Sequence, residues 1–141
     1  ARIFDLEHAT FWIYLVLACT FLNDTMSFIV GSQIGKTKLS PDISPNKTVE
    51  GVLGGLVGAL LGALVVHYFF GQEIGLPITI LLSLFIALFS IIGDLSESLL
   101  KRAFAVKDSG KLIPGHGGIL DRIDGLLFSG AFIYLISFYF T

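Results

Sequence analysis

The sequence predicts an all-α, polytopic transmembrane helix bundle with about four spans joined by polar loops. Of its 141 residues, 54% are hydrophobic and only 14% are charged, whereas soluble domains carry about 25% charged residues. The mean hydropathy is +0.84. The apolar residues form runs close to the roughly 20 residues that a helix needs to cross a bilayer. These runs give spans near 9–34, 51–70, 76–93 and 125–140.

The first span, 9–34, contains Asn23 and Asp24 well inside the apolar run. An acidic residue at that depth is expected to face the bundle interior or a watery cavity, because lipid cannot solvate it. The following segment, 35–50, contains two prolines and three lysines, which predicts a polar loop that feeds the second helix.

The second span carries glycines at helical spacing that form overlapping G-x-x-x-G patterns. Small residues at this spacing let two helix backbones approach closely in lipid. We interpret them as packing within the chain, with a homodimer face as the alternative. The glycines are Gly51, Gly54, Gly55, Gly58 and Gly62.

The third span runs directly into Asp94, Glu97, Ser98 and Lys101. If the helix continues, these positions follow an i, i+3, i+4, i+7 pattern and share one face. A second acidic pair, Asp121 and Asp124, precedes the fourth span at i, i+3 spacing. Two helices therefore present acids at one membrane face, which favours a functional site over a merely solvated one.

The basic residues indicate the topology. Eight of the nine lysines and arginines lie in the two segments 35–50 and 93–124. One span separates consecutive loops, so both segments fall on the same side, which the positive-inside rule makes cytoplasmic. Both chain ends are then expected on the opposite side.

The segment 98–124 is a charged island of alternating sign between two apolar runs. Its acids suit divalent cations, which prefer oxygen ligands. Its bases suit phosphate oxygens, and its glycines let backbone N–H groups approach an anion. Nucleic-acid binding is not predicted, because bases alternate with acids. The pattern predicts a metal-and-phosphate site beside a membrane.

The same island resembles a family signature. The run S-x-L-K-R-x4-K-D-x-G-x2-I-P-x-H-G-G-I-x-D-R-I-D, from Ser98 to Asp124, is similar to that of the phosphatidate cytidylyltransferases, also called CDP-diacylglycerol synthases. The upstream pattern from Asn23 to Gly51, with S-P-x-K-T-x-E-G at its end, resembles the same family. Ser27-Phe28 stands where the family usually has Ala-Tyr.

The resemblance implies the Mg²⁺-dependent reaction of CTP with phosphatidate to give CDP-diacylglycerol and pyrophosphate. A second cation is possible in such a site. We predict Asp94, Asp121 and Asp124 as metal ligands, with Glu97 and Ser98 as orienting residues of the next turn. Lys101 and Arg122 are predicted to act with Asp94 and Asp121 in catalysis. The predicted substrate-binding residues are Asn23, Asp24, Lys47, Thr48, Ser98, Arg102, Lys107, His116, Gly117 and Gly118.

Family members are usually about twice as long, so the resemblance implies one catalytic domain, 1–141, from the C-terminal part of a longer protein. It also suggests a bacterial inner membrane as the location. Two other functions stay open at this stage: a CTP-dependent lipid kinase and a cation-coupled transporter built on acids near broken helices. A structural fragment that is inactive alone is a further alternative.

Overall fold

The computed structural model describes the backbone of residues 6–70, 74–105 and 120–140, and the side chains of 10–70, 74–105 and 124–137. The predicted helical membrane bundle is confirmed. Three described helices are long and apolar enough to cross a membrane, and a fourth, shorter apolar stretch runs from Asp124 to Ser137. The helices are α1 (Leu6–Ile34), α2 (Val49–Phe70), α3 (Leu76–Ala103) and α4 (Leu120–Phe140).

The segment between α1 and α2 is more ordered than the predicted loop. It forms an antiparallel hairpin of β1 (Lys38–Ser40) and β2 (Ser44–Thr48). Lys38 pairs with Thr48 and Ser40 pairs with Ser44, with an irregularity between them. The backbone N–H of Val49 donates to the carbonyl of Thr37 at 2.9 Å, which joins the hairpin to the start of α2.

Helix α2 packs closely along α1, and its glycines make this possible. A Cβ on Gly62 would lie 2.8 Å from the carbonyl oxygen of Ala18, and one on Gly58 would collide with the carbonyl of Leu22. The stripe is therefore used within the chain, as predicted. The buried apolar core adds side chains from all four helices: Phe11, Trp12, Leu15, Val16, Cys19, Ala59, Ala63, Val66, Leu82, Ile86, Ala87 and Ile133.

Helix α3 continues for ten residues beyond the predicted span, from 94 to 103. Its buried stripe passes through Ser90 and Gly93 to Glu97, so the charged end of the helix still faces the protein. The helix therefore continues through Lys101, which the predicted shared face of Asp94, Glu97, Ser98 and Lys101 required. Helix α4 likewise begins before its predicted span, so that Asp124 lies inside the helix.

Candidate functional site

The hairpin is fastened to α2 by two side chains. The carboxylate of Glu50 accepts hydrogen bonds from the backbone N–H groups of Lys36 at 3.1 Å and Thr37 at 3.2 Å. The hydroxyl of Thr48 accepts one from the backbone N–H of Gly51 at 3.1 Å, which caps the first turn of α2. Lys47 directly precedes Thr48 in the sequence, so its backbone is held at a fixed place over the bundle.

A cavity of about 630 Å³ lies between the hairpin and the helices α1, α2 and α3. This volume is within the range of about 300–1,000 Å³ of typical ligand sites. Its wall contains cations, carboxylates, hydroxyls and one strongly exposed aromatic ring, Phe28. The lining residues are Asn23, Asp24, Ser27, Phe28, Gly31, Ser32, Gly35, Lys38, Ser44, Asn46, Lys47, Thr48, Val52, Ile91 and Asp94.

Three carboxylates meet at the edge of this cavity. One oxygen each of Asp94, Glu97 and Asp124 lies within 4.8 Å of the other two. Asp94 and Glu97 are one turn apart on α3, whereas Asp124 comes from α4. Glu97 is only 6% exposed. A group of three carboxylates that converge this closely could hold a metal ion, and their oxygens suit a hard divalent cation.

The close approach of α4 to α3 brings Asp124 into this cluster. A Cβ on Gly93 would lie 2.7 Å from the carbonyl oxygen of Asp124, so any larger residue would push the two helices apart. Gly125 makes the matching approach on α4, where a Cβ would meet the hydroxyl oxygen of Ser90. The carboxylate of Asp124 also accepts a hydrogen bond from the backbone N–H of Gly125 at 2.7 Å.

Basic side chains surround the acids. The ammonium of Lys47 forms an ion pair with the Asp94 carboxylate. The ammonium of Lys101 lies 3.6 Å from Glu97. The guanidinium Nε of Arg102 donates to the backbone carbonyl of Ile43 in the hairpin at 3.4 Å. These contacts place the hairpin and the C-terminal end of α3 at the same end of the bundle.

The structure thus gathers part of the predicted site around Asp94. Asn23, Asp24, Lys47 and Thr48 share the cavity with it, and the amide of Asn23 donates to the Asp24 carboxylate at 3.2 Å. Ser98, Lys101 and Arg102 lie on the last two turns of α3. Six further predicted residues have side chains outside the described part: Lys107, His116, Gly117, Gly118, Asp121 and Arg122.

The cluster also contains Glu97, which we expected only to orient other ligands. Its spacing from Asp94 carried the signal, because i and i+3 on a continuing helix point the same way. Phe28, Ser32, Lys38 and Asn46 also line the cavity without having been predicted as site residues. Little in the sequence alone marks them, since they become neighbours only when the hairpin folds over α1.

The profile of the Cytidylyltransferase family matches residues 3–140. The chain belongs to this family. Among its curated relatives, the phosphatidate cytidylyltransferase of Bacillus subtilis strain 168 is 45% identical over 130 residues, which cover 91% of this chain and 48% of the relative. The enzyme of the same name from Staphylococcus saprophyticus is 46% identical over 117 residues, covering 83% of this chain and 45% of the relative.

This member of the Cytidylyltransferase family thus spans about half the length of the curated relatives it matches. A solved structure described as an intramembrane enzyme for archaeal membrane lipids biosynthesis has the same fold. The TM-score is 0.67 at 20% identity, over 88% of this chain and 77% of that one. At this identity the likeness supports the membrane-embedded helical fold alone.

Proposed function

We propose that this protein transfers the cytidylyl group of CTP to phosphatidate, giving CDP-diacylglycerol and pyrophosphate. The observation that carries the proposal is the position of Asp94. It belongs both to a cavity large enough for a nucleotide and to the cluster of three carboxylates. Joined to a membrane-embedded fold and to relatives named phosphatidate cytidylyltransferase, this arrangement favours a nucleotide and a lipid phosphate as the two reactants.

The donor set fits a magnesium ion. Asp94, Glu97 and Asp124 supply only carboxylate oxygens, the ligand type that Mg²⁺ prefers, and the cluster carries more negative charge than lipid-facing packing requires. Asp121 remains a predicted further ligand. A bound Mg²⁺ would offset the negative charge of the phosphates and polarise them toward attack. A second cation in the site remains part of the same proposal.

In the proposed reaction, a phosphate oxygen of phosphatidate forms a bond to the α-phosphorus of CTP. The bond between that phosphorus and the oxygen bridging to the β-phosphate breaks, and pyrophosphate leaves with the electron pair. Both reactants are polyanions, so the protein's main task is to place them in line and to offset their charge.

The basic residues of the site perform this task. Lys47 projects from the hairpin side of the cavity, and Lys101 and Arg102 project from the end of α3. We assign the triphosphate to Lys47 and the hydroxyl of Thr48, and the lipid phosphate to Lys101 and Arg102. Arg122, Lys107, His116, Gly117 and Gly118 remain predicted contacts of the phosphates. Asn23 and Asp24 form the opposite wall on α1.

The site is proposed to face the cytoplasm of a bacterial inner membrane, where CTP is available. The positive-inside rule supports this orientation, because eight of nine basic residues belong to the two segments around the site. We further propose that residues 1–141 act as a single catalytic domain within a longer protein. A homodimer remains a prediction, and it would need another surface because the α2 glycines contact α1.

The deciding experiment measures transfer of label from α-³²P-CTP to chloroform-soluble product, with phosphatidate and Mg²⁺ in proteoliposomes. Asp94→Asn keeps the size of the side chain and removes its charge, so it should abolish labelling. Asp121→Asn tests the remaining predicted ligand in the same way. Asp42→Asn is the matched control, because Asp42 is exposed in the hairpin turn.

The position of the label separates the alternatives. Lipid labelled by α-³²P-CTP supports cytidylyl transfer, whereas lipid labelled only by γ-³²P-CTP identifies a lipid kinase. A folded protein that labels lipid from neither nucleotide favours the transporter or a fragment that is inactive alone. Equal labelling by the wild type and Asp94→Asn would remove Asp94 from the site.

A further inference from the structure

One ion pair joins the hairpin to the acidic end of α3. The ammonium of Lys47, on β2, contacts the carboxylate of Asp94. The two side chains are 22% and 42% exposed, so solvent reaches the pair from the cavity. No other ion pair among the described residues connects the hairpin with a helix.

The Asp94 carboxylate belongs to two arrangements at once. It binds Lys47, and it also converges with Glu97 and Asp124 on a space suited to a cation. A lysine ammonium and a divalent cation that share one carboxylate repel each other at a distance of a few ångströms. In a partly buried site this repulsion is several times stronger than in water. Lys47 in its present position therefore opposes metal binding.

We propose that Lys47 is a resident counter-ion of Asp94 that a divalent cation displaces, and that the displaced ammonium then binds the phosphates of the incoming nucleotide. The binding of the ammonium to nucleotide phosphates rests on the proposed function. The displacement of Lys47 from Asp94 concerns the cation alone. Binding of the metal would thus prepare the nucleotide site, because the same event that occupies the carboxylates releases a positive charge into the cavity.

The local structure allows such a movement without refolding. The hairpin backbone near Lys47 is fastened by the Thr48 cap and by the hydrogen bonds of Glu50. The ammonium, in contrast, sits on a flexible four-carbon stem and has three donors that accept new partners easily. The cavity of about 630 Å³ lies beside it, so the head group can turn from Asp94 to a phosphate.

The test is binding of Mn²⁺, a hard cation that oxygen sites also accept, measured without nucleotide by the electron paramagnetic resonance signal of free Mn²⁺. Lys47→Met keeps the length of the stem and removes the charge. We expect this variant to bind Mn²⁺ about tenfold more tightly than the wild type, because the competing cation is gone. Lys47→Arg, which keeps the charge, should bind Mn²⁺ within about threefold of the wild type.

Lys38→Met is the matched control. Lys38 lies in the same hairpin and lines the same cavity, but it forms no ion pair with any residue that the structure describes. Its removal changes the net charge equally and should shift Mn²⁺ affinity by less than about twofold, since exposed charges are screened. Thermal unfolding with saturating Mn²⁺ verifies that each variant is folded.

If Lys47→Met binds Mn²⁺ as the wild type does, or more weakly, the proposal is overturned, whether or not the protein transfers cytidylyl groups. An equal gain in Mn²⁺ affinity in Lys38→Met would also overturn it, because the gain would then come from the change in net charge and not from loss of the Lys47–Asp94 ion pair. Tighter Mn²⁺ binding confined to Lys47→Met supports displacement. CTP affinity at saturating Mn²⁺ tests the second half: we expect about a tenfold loss in Lys47→Met, and unchanged affinity would refute the transfer of Lys47 to phosphate.

Discussion

The hydroxyl oxygen of Thr48 accepts a hydrogen bond from the backbone N–H of Gly51 at 3.1 Å. Thr48 is only 5% exposed, and its side chain is enclosed by two glycines, since a Cβ on Gly31 or on Gly51 would lie 3.0 Å from the hydroxyl oxygen. The oxygen serves as the cap of α2, while the hydroxyl proton stays available as a donor. One threonine can therefore fix the helix and still donate to a phosphate.

Removal of this cap should destabilise the protein. Loss of a threonine cap typically costs about 1 kcal/mol of stability, so Thr48→Ala should lower the free energy of unfolding by about that amount. Thr48→Ser keeps the hydroxyl and should retain most of the stability. Denaturant titrations in mixed micelles measure the difference, and equal stability of Thr48→Ala and wild type would argue against the cap.

The contacts of Glu50 predict a local effect on the hairpin. Its carboxylate holds the backbone N–H groups of Lys36 and Thr37, so Glu50→Ala should free both amides. Hydrogen exchange followed by mass spectrometry should then show faster exchange in the peptide that covers 35–40, with the middle of α2 unchanged. Asp42→Asn, in the exposed turn of the hairpin, provides the comparison. Unaltered exchange at 35–40 in Glu50→Ala would contradict this role.

The glycines of α2 predict a steric effect at the contact with α1. The carbonyl of Leu22 blocks a methyl group on Gly58, and because this obstacle is backbone, Gly58→Ala should force the helices apart. Overpacking of this kind typically costs about 1–3 kcal/mol. Gly130→Ala is the control, since nothing lies within 4 Å of its added methyl.

At Gly130 the alanine should be neutral or should stabilise α4 by up to about 1 kcal/mol, because alanine favours helix. Thermal unfolding in detergent ranks the stability of the wild type, Gly58→Ala and Gly130→Ala. If Gly58→Ala unfolds at the same temperature as Gly130→Ala, the close α1–α2 contact is not present in solution.

The helices could be predicted from the sequence because they depend on residues close together in the chain. Apolar runs of spanning length and the glycine spacing of α2 are both properties of neighbouring residues. The hairpin was not predicted, since β2 contains Pro45 and Lys47, which have little preference for strands. It forms because Glu50 and Thr48 fasten its base, and those contacts join residues up to 14 positions apart.

The candidate site was likewise predicted only where it depends on neighbouring residues. Helical spacing alone placed Asp94 and Glu97 on one face. The addition of Asp124 depends on how closely α4 approaches α3 at Gly93, and one sequence gives no measure of that distance. The charged island from 98 to 124 was recognised by its residues, but recognition does not supply the geometry. The role of Asp121 therefore stays a prediction.

Glu97 offers the sharpest test of the carboxylate cluster, because sequence reasoning ranked it below the aspartates. Its oxygen lies within 4.8 Å of those of Asp94 and Asp124, and the residue is 6% exposed. Glu97→Gln keeps the shape of the side chain and removes one charge. We expect a loss of Mn²⁺ affinity of about tenfold or more, since a neutral amide replaces a carboxylate ligand.

The ion pair between Glu97 and Lys101, at 3.6 Å, suggests the control for this measurement. Lys101→Met disrupts the same pair but leaves the carboxylate in place. If Glu97 binds the cation directly, Lys101→Met should hold or improve Mn²⁺ affinity while Glu97→Gln loses it. A similar loss of Mn²⁺ affinity in both variants would instead mean that Glu97 acts through its ion pair with Lys101 and stabilises the end of α3. The cation would then be bound by Asp94 and Asp124 without Glu97.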